Sequence, residues 1–310
     1  MSVTLAGHTR ADAARALLRR PRLLLLLGAG TISFSSILVL LSHATPSTAA
    51  IFRCVYALPL LGLLAWREER RLGPRPWAQR RAAMAAGVFF AVDNLVWNRS
   101  ILDVGAGLAT VLANVQVVVL PLVAWALLSE RPARQVLLAL PITLIGVLLI
   151  SGVLEHGAFG RDPTLGTVFG LTAGLAYVGF LLLLRHASSD LRRLAGPLFD
   201  VTAVAAVTCV LGGLVIGDAH LVPAWPSAGW LALLAVSSQV IGWLLIGSSL
   251  PRLPAALASV LLTLQPIASV GLAALILGES PSLIQLGGVA LVLAALVSAG
   301  RAGGAAMPVE

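Results

Sequence analysis

The sequence predicts an all-α integral membrane fold of ten transmembrane helices arranged as two inverted five-helix repeats. Three observations carry this. The 310-residue chain is 58% hydrophobic and 11% charged, with a mean hydropathy of +0.96, whereas about a quarter of a soluble domain's residues are charged. Ten apolar stretches each reach the ~17 to 25 residues that a spanning helix needs. The stretch Ala106 to Pro132 recurs 149 positions later, from Ala255 to Pro281.

Taken in order, residues 1–22 carry Arg10, Arg15, Arg19, Arg20 and Arg22 against a single acid, Asp12, and read as a cytoplasmic basic tail. The apolar run from Leu23 to Ser42 resembles a signal peptide in position, but its ~20 residues suffice to span and no small-residue cleavage site follows, so it is helix 1. Nine more stretches fall near 47–66, 82–102, 106–129, 133–152, 164–185, 196–217, 228–249, 255–278 and 281–300. Their connections alternate in charge. Segment 67–81 holds six arginines, 130–134 holds Arg131 and Arg134, and 185–195 holds Arg185, Arg192 and Arg193, whereas 43–46 and 218–226 hold none. By the positive-inside rule both termini face the cytoplasm, residues 301–310 forming the second tail, in a multi-pass cell (inner) membrane protein.

The repeat fixes the rest of the architecture. Ten of its twenty-seven aligned pairs are identical, and the rare ones, Gln116/Gln265, Glu130/Glu279 and Pro132/Pro281, carry the weight in a chain so rich in Ala, Leu and Val. Five helices is an odd number, so the copies, 23–152 and 164–300, lie upside down to each other. Charge agrees: the turn from Glu130 to Arg134 is basic, and its counterpart from Glu279 to Gln285 has no arginine. Inverted repeats place their sites near the midplane between the copies.

Composition also excludes function classes. All 21 basic residues are arginine, which removes a Walker-type phosphate loop and any Schiff-base lysine. The net charge of +8 sits in short clusters between apolar runs, a membrane topology signal and not a nucleic-acid footprint. Cys54 and Cys209 lie in apolar runs as small hydrophobes. His8, His43, His156, His186 and His220 all fall in the tail or connections, so neither a metal nor a cofactor is expected.

Asp93 is the outstanding candidate, about eleven residues into helix 3, where an ionised carboxylate costs on the order of 2.5 to 3.5 kcal/mol on insertion scales. It either faces a polar cavity or serves as a buried partner of Arg53 or Asn94. Asp93/Trp97 and Asn94/Asn98 are one turn apart, giving adjoining polar and aromatic stripes; Gln239 and Trp243 repeat that spacing in the second copy. Gln116 and Gln265 occupy equivalent depths and either line a cavity or join helices. Arg53 reads as a gate or ion-pair residue, and Arg99 with Asp103 as a local i, i+4 salt bridge. Glu130 and Glu279 each end a helix before a proline, placing a carboxylate at the start of the next helix, with Ser280 as a cap. Gly166, Gly170 and Gly174 form a double GxxxG, a face for close packing within the monomer or between protomers.

The second copy, from Gly229 through Ser238-Gln239-Val240-Ile241-Gly242, Leu253-Pro254-Ala255, Gln265-Pro266 and Leu277-Gly278-Glu279 to Gln285-Leu286-Gly287, resembles the EamA repeat of the drug/metabolite transporter superfamily. The first copy repeats its Glu-x-Pro end, and Arg53 sits where that family often has an arginine. The first copy departs in having Val117 where the second has Pro266, so a proline-linked bend need not be symmetric. The resemblance implies a ten-helix secondary transporter, commonly an exporter of small metabolites, amino acids or drug-like solutes, working by alternating access. The expected partners are a small-molecule solute and membrane lipids, with no nucleic acid, in a monomer or homodimer. The alternatives are a lipid or lipid-linked-sugar translocator and an integral-membrane enzyme, the latter disfavoured by scattered acids.

Overall fold

The computed structural model describes residues 20–129, 131–249, 252–253 and 255–303. Among these the chain is helical and contains no strand. Ten helices follow in order: α1 (Pro21–Leu41), α2 (Pro46–Leu72), α3 (Trp77–Val104), α4 (Ala106–Ala113 and Gln116–Leu128), α5 (Arg134–Ile150), α6 (Pro163–Ala187), α7 (Ala195–Ile216), α8 (Ser227–Ser249), α9 (Ala255–Leu262 and Leu264–Leu277) and α10 (Leu283–Gly303). Seven of the described helical stretches are long and apolar enough to cross a membrane; Arg134–Ile150 and Leu264–Leu277 are shorter apolar helices. The arginine-rich connection expected over 67–81 shrinks to a few residues, because α2 runs on to Leu72 and α3 begins at Trp77. Arginines and glutamates at helix ends are good helix formers, so charge alone does not end a helix.

Local chemistry explains the ends. Pro46 and Pro163 open α2 and α6, and behind them Thr45 and Asp162 accept hydrogen bonds from the backbone N–H groups of Thr48 (3.4 Å) and Leu165 (3.0 Å). Gly105, at φ +92, turns α3 directly into α4; a Cβ there would lie 2.8 Å from the Phe159 ring.

The repeat is visible in three dimensions. Pro46, Ala106 and Arg134, which open α2, α4 and α5, recur 149 residues later as Ala195, Ala255 and Leu283, which open α7, α9 and α10. α4 and α9 are each broken at one aligned position, Asn114 and Thr263. The asymmetry expected from Val117 and Pro266 is therefore not what places the breaks. In α4 the Asn114 amide donates to Thr110 O at 2.8 Å and competes with the backbone ladder.

The copies interdigitate. α3 packs along α6 and α7, α1 along α8 and α9, α2 along α7, α4 along α9 and α5 along α10. Every one of these pairs joins one repeat to the other. Leu138, Leu144, Val207, Leu211, Leu214 and Leu275 are exposed on the outside, while Ser36, Arg53, Asp93, Asn94, Asn98, Thr110, Thr202, Gln239 and Ser269 are buried inside. That inversion of the soluble pattern suits a bundle whose solvent is lipid.

Candidate functional site

Polar side chains from both repeats meet between α2, α3, α6, α7 and α8. Arg53, on the first half of α2, is 6% exposed and donates from Nε to Gln239 Oε1 at 3.0 Å. The other end of the same amide donates to Thr202 Oγ1 at 3.1 Å. Arg53 and Thr202 are themselves equivalent under the 149-residue shift, so one fully buried amide bridges the two symmetry-related positions. Gln239 lies in a π-helical stretch of α8, Ala235–Gly242, a looser winding found often at functional sites.

Aromatic rings surround this bridge. Arg53 Cζ lies 5.7 Å from the Phe90 ring centroid and 5.8 Å from that of Trp97, within cation–π range. Phe90 packs against Phe180 at a tilt, 4.9 Å between centroids, Phe180 meets Trp243 edge-on at 5.5 Å, and Tyr177 lies 5.1 Å from Phe180 and 6.2 Å from Trp243. Asp93, 8% exposed, faces the same enclosure and interacts electrostatically with both Arg53 and Tyr177. Among the described residues, however, no salt bridge within 4.0 Å joins Asp93 to Arg53. The Asp93 carboxylate has one long contact, 3.5 Å, from Asn94 Nδ2, which itself donates at 2.7 Å to Phe90 O. Asn94 Oδ1, Trp97 Nε1, Asn98 Oδ1 and Trp243 Nε1 are buried with no protein partner among the described residues. Buried polar atoms are normally paired, so this group of unpaired ones near two charges leaves hydrogen-bonding capacity unused inside the bundle.

The structure thus brings together Arg53, Asp93, Asn94, Trp97, Gln239 and Trp243. Asn98 sits one turn along α3 and ties it to the start of α2 through Pro46 O, 3.0 Å away. Gln116 and Gln265 lie just beyond the α4 and α9 breaks, half-buried, and the structure does not join their side chains to the cluster. Tyr177, Phe180 and Thr202 escaped the sequence reading. Tyr177 carried a usable signal, being one of only two tyrosines and lying inside an apolar helix. Thr202 was visible only through its equivalence to Arg53.

Three other expectations are corrected or resolved. Glu279 does cap a helix N-terminus, but that of α4 in the other repeat: its Oε1 accepts from Ala106 N at 2.6 Å and its Oε2 from Gly107 N at 3.1 Å. The sharp turn at Gly105 aims those N–H groups at it, and Ser282, not Ser280, caps α10 by accepting from Gln285 N at 3.1 Å. Glu130 lies outside the described residues. Arg99 and Asp103 do not pair with each other. Arg99 bonds Asp218 at 3.1 Å and Asp103 bonds Arg161, because both side chains lean toward the adjoining connections. Gly166, Gly170 and Gly174 pack within the monomer, against Val104, Leu112 and the Ala113 carbonyl, and Gly166 O accepts from Ser100 Oγ at 2.7 Å.

Comparison with known proteins agrees with this architecture. The EamA-like transporter family matches residues 22–152 and 164–300, one match per repeat. The chain belongs to the EamA-like transporter family. It is a multi-pass membrane transporter. A relative from Synechocystis sp. (strain ATCC 27184 / PCC 6803 / Kazusa), named "Uncharacterized transporter sll1319", is 25% identical over 261 residues, covering 78% of this chain and 75% of that protein. A solved crystal structure with 16% sequence identity superimposes with a TM-score of 0.57 over 88% of this chain and 95% of its own. That likeness is one of fold.

Proposed function

We propose that this EamA-like transporter moves a small amphipathic organic solute carrying both a cationic and an anionic group, with amino acids and drug-like zwitterions as the class. One observation supports the reading above the others: Arg53 and Asp93 share an aromatic enclosure without forming an ion pair. Two opposite charges held apart accept a solute whose own charges are separated, and the paired site stays neutral. A solute with net charge would bury an uncompensated ion, at a cost of several kcal/mol. The Arg53 guanidinium uses Nε for Gln239 and offers its two Nη groups to a carboxylate. Asp93 offers its oxygens to an ammonium group, and Trp97, Tyr177 and Trp243 offer apolar faces.

The route is alternating access, but the moving bodies are not the sequence halves. α3, α4 and α6 pack as one group, and α1, α8 and α9 as its symmetry mate. Asp93, Trp97 and Tyr177 belong to the first group and Gln239 and Trp243 to the second, so relative movement of the groups opens the site to one side at a time. Glu68 and Glu279 clasp opposite faces: Glu68 of α2 accepts from Leu194, Ala195 and Gly196 at the start of α7, as Glu279 does for α4. With both termini cytoplasmic in the inner membrane, the direction proposed is export, with Asp93 as the proton-coupling carboxylate.

The test is transport in proteoliposomes with and without an imposed pH gradient. Zwitterionic amino acids should move in a gradient-dependent way and compete with one another, while their esters (cationic) and N-acyl derivatives (anionic) should be at least tenfold poorer. If the esters and N-acyl derivatives moved as fast as the parent amino acid, the zwitterion reading would be lost; flip of lipid analogues with no soluble solute moving would replace it with a translocator.

A further inference from the structure

A second polar site lies away from the transport pathway, at the arginine-rich end of the bundle. A cleft of ≈ 540 Å³ opens between the last turns of α2, the α6–α7 connection and α8, lined by Leu64, Arg67, Arg71, Leu72, Arg192 and Leu244 among others. Arg67 and Arg71 are one helical turn apart and so present their charges side by side. Both are exposed, and neither makes an ion pair with a described acid.

Of the acids near the cleft, Glu68 and Asp190 are already engaged, and Glu69, two residues from each arginine, turns to another face of α2. Glu68 also lines the cleft, but its carboxylate accepts from Leu194, Ala195 and Gly196 at 2.7, 3.1 and 2.7 Å. Asp190 is bonded by Arg192 at 3.0 and 3.2 Å and by Arg193 at 3.2 Å, and the Arg192 hydrogen bonds hold its carboxyl down at about 2. Arg192 is thus partly neutralised, and Arg67 with Arg71 remain as the charges without a counterpart. Two further features set the level of the cleft. Trp66, beside it on α2, is 49% exposed and carries the Arg70 guanidinium 4.0 Å above its ring, and Trp77 at the start of α3 is also exposed. Exposed tryptophans at helix ends mark the membrane–water interface. The leucines continue from the cleft toward exposed Leu60 and Leu63, deeper along α2.

We propose that this cleft binds an anionic phospholipid, its phosphate held by Arg67 and Arg71 and its glycerol and upper chains lying against Leu64, Leu72 and Leu244. Charge selects the head group, since basic side chains at the membrane surface attract anionic lipids, and the leucine floor selects a lipid over a soluble phosphate ester. Because the cleft is formed by α2 of one repeat and α7 and α8 of the other, a bound lipid bridges the two copies at that face.

Native mass spectrometry of the purified full chain in detergent, with phosphatidylglycerol or phosphatidylcholine of identical chains added, tests this. The parent should retain one phosphatidylglycerol in at least fivefold preference to phosphatidylcholine. Arg67→Gln/Arg71→Gln should lose that preference, and the charge-matched control Arg22→Gln/Arg81→Gln should keep it. Should the double variant fail to fold, Arg71→Gln alone, or the gain in thermal stability of the parent with each lipid, reads the same preference. Equal retention of the two lipids, retention unchanged in the cleft variant, or full displacement by equimolar glycerol 1-phosphate each overturns the proposal, the last in favour of a soluble phosphate ester.

Discussion

Gln239 is fully buried and holds Arg53 on one side and Thr202 on the other, so its substitutions separate stability from recognition. Gln239→Leu strands the buried Nε of Arg53 and should lower stability by about 1 to 3 kcal/mol, the cost of a buried unpaired polar group, read as a fall in thermal midpoint in detergent. Gln239→Glu should preserve folding while tying Arg53 into an ion pair, raising KM for zwitterionic solutes at least tenfold. An unchanged KM would remove Arg53 from solute recognition. Asp93→Asn keeps shape and removes charge. It should abolish gradient-driven transport and weaken exchange of zwitterionic solutes, whose ammonium group loses its partner; transport of every solute as by the parent, with the same pH dependence, would leave Asp93 a structural residue. The identities of these residues were legible in the sequence because charge and amide within apolar runs are costly and therefore conspicuous. Their partners were not, since Arg53 and Gln239 are 186 residues apart.

At the level of helices, the carboxylate caps decide how the two copies are fastened. Burial pushes the Glu279 carboxyl above its ordinary range, and the Ala106 and Gly107 N–H groups pull it partly back. A carboxyl raised on folding contributes stability that is present at low pH and lost as pH rises through and above the ordinary carboxylate range. Thermal stability of the parent should therefore decline across that window more steeply than that of Glu279→Gln, and parallel curves would show that Glu279 does not titrate with folding. The Glu-x-Pro motif signalled a cap correctly as a chemical device. It could not say which helix is capped, because the N-terminus of α4 comes within reach only when Gly105 turns and the second copy folds against the first.

For the whole molecule, inversion makes a topological prediction. Arg131→Cys and Ser280→Cys, at aligned positions in a background lacking Cys54 and Cys209, should label oppositely from outside intact cells with an impermeant thiol reagent; equal labelling would overturn the inverted arrangement. The sequence by itself determined the number of helices, the repeat and the polar residues worth watching, because hydropathy, charge alternation and self-similarity are local or additive properties of a chain. Only the tertiary structure decided that the copies interdigitate, that α4 and α9 break at equivalent points, and that Tyr177, Phe180 and Thr202 join Arg53, Asp93 and Gln239. The physical reason is that helix association in lipid is driven by close packing and interhelical hydrogen bonds. Those depend on which surfaces fit across more than a hundred residues of chain, and no periodicity within one helix records that.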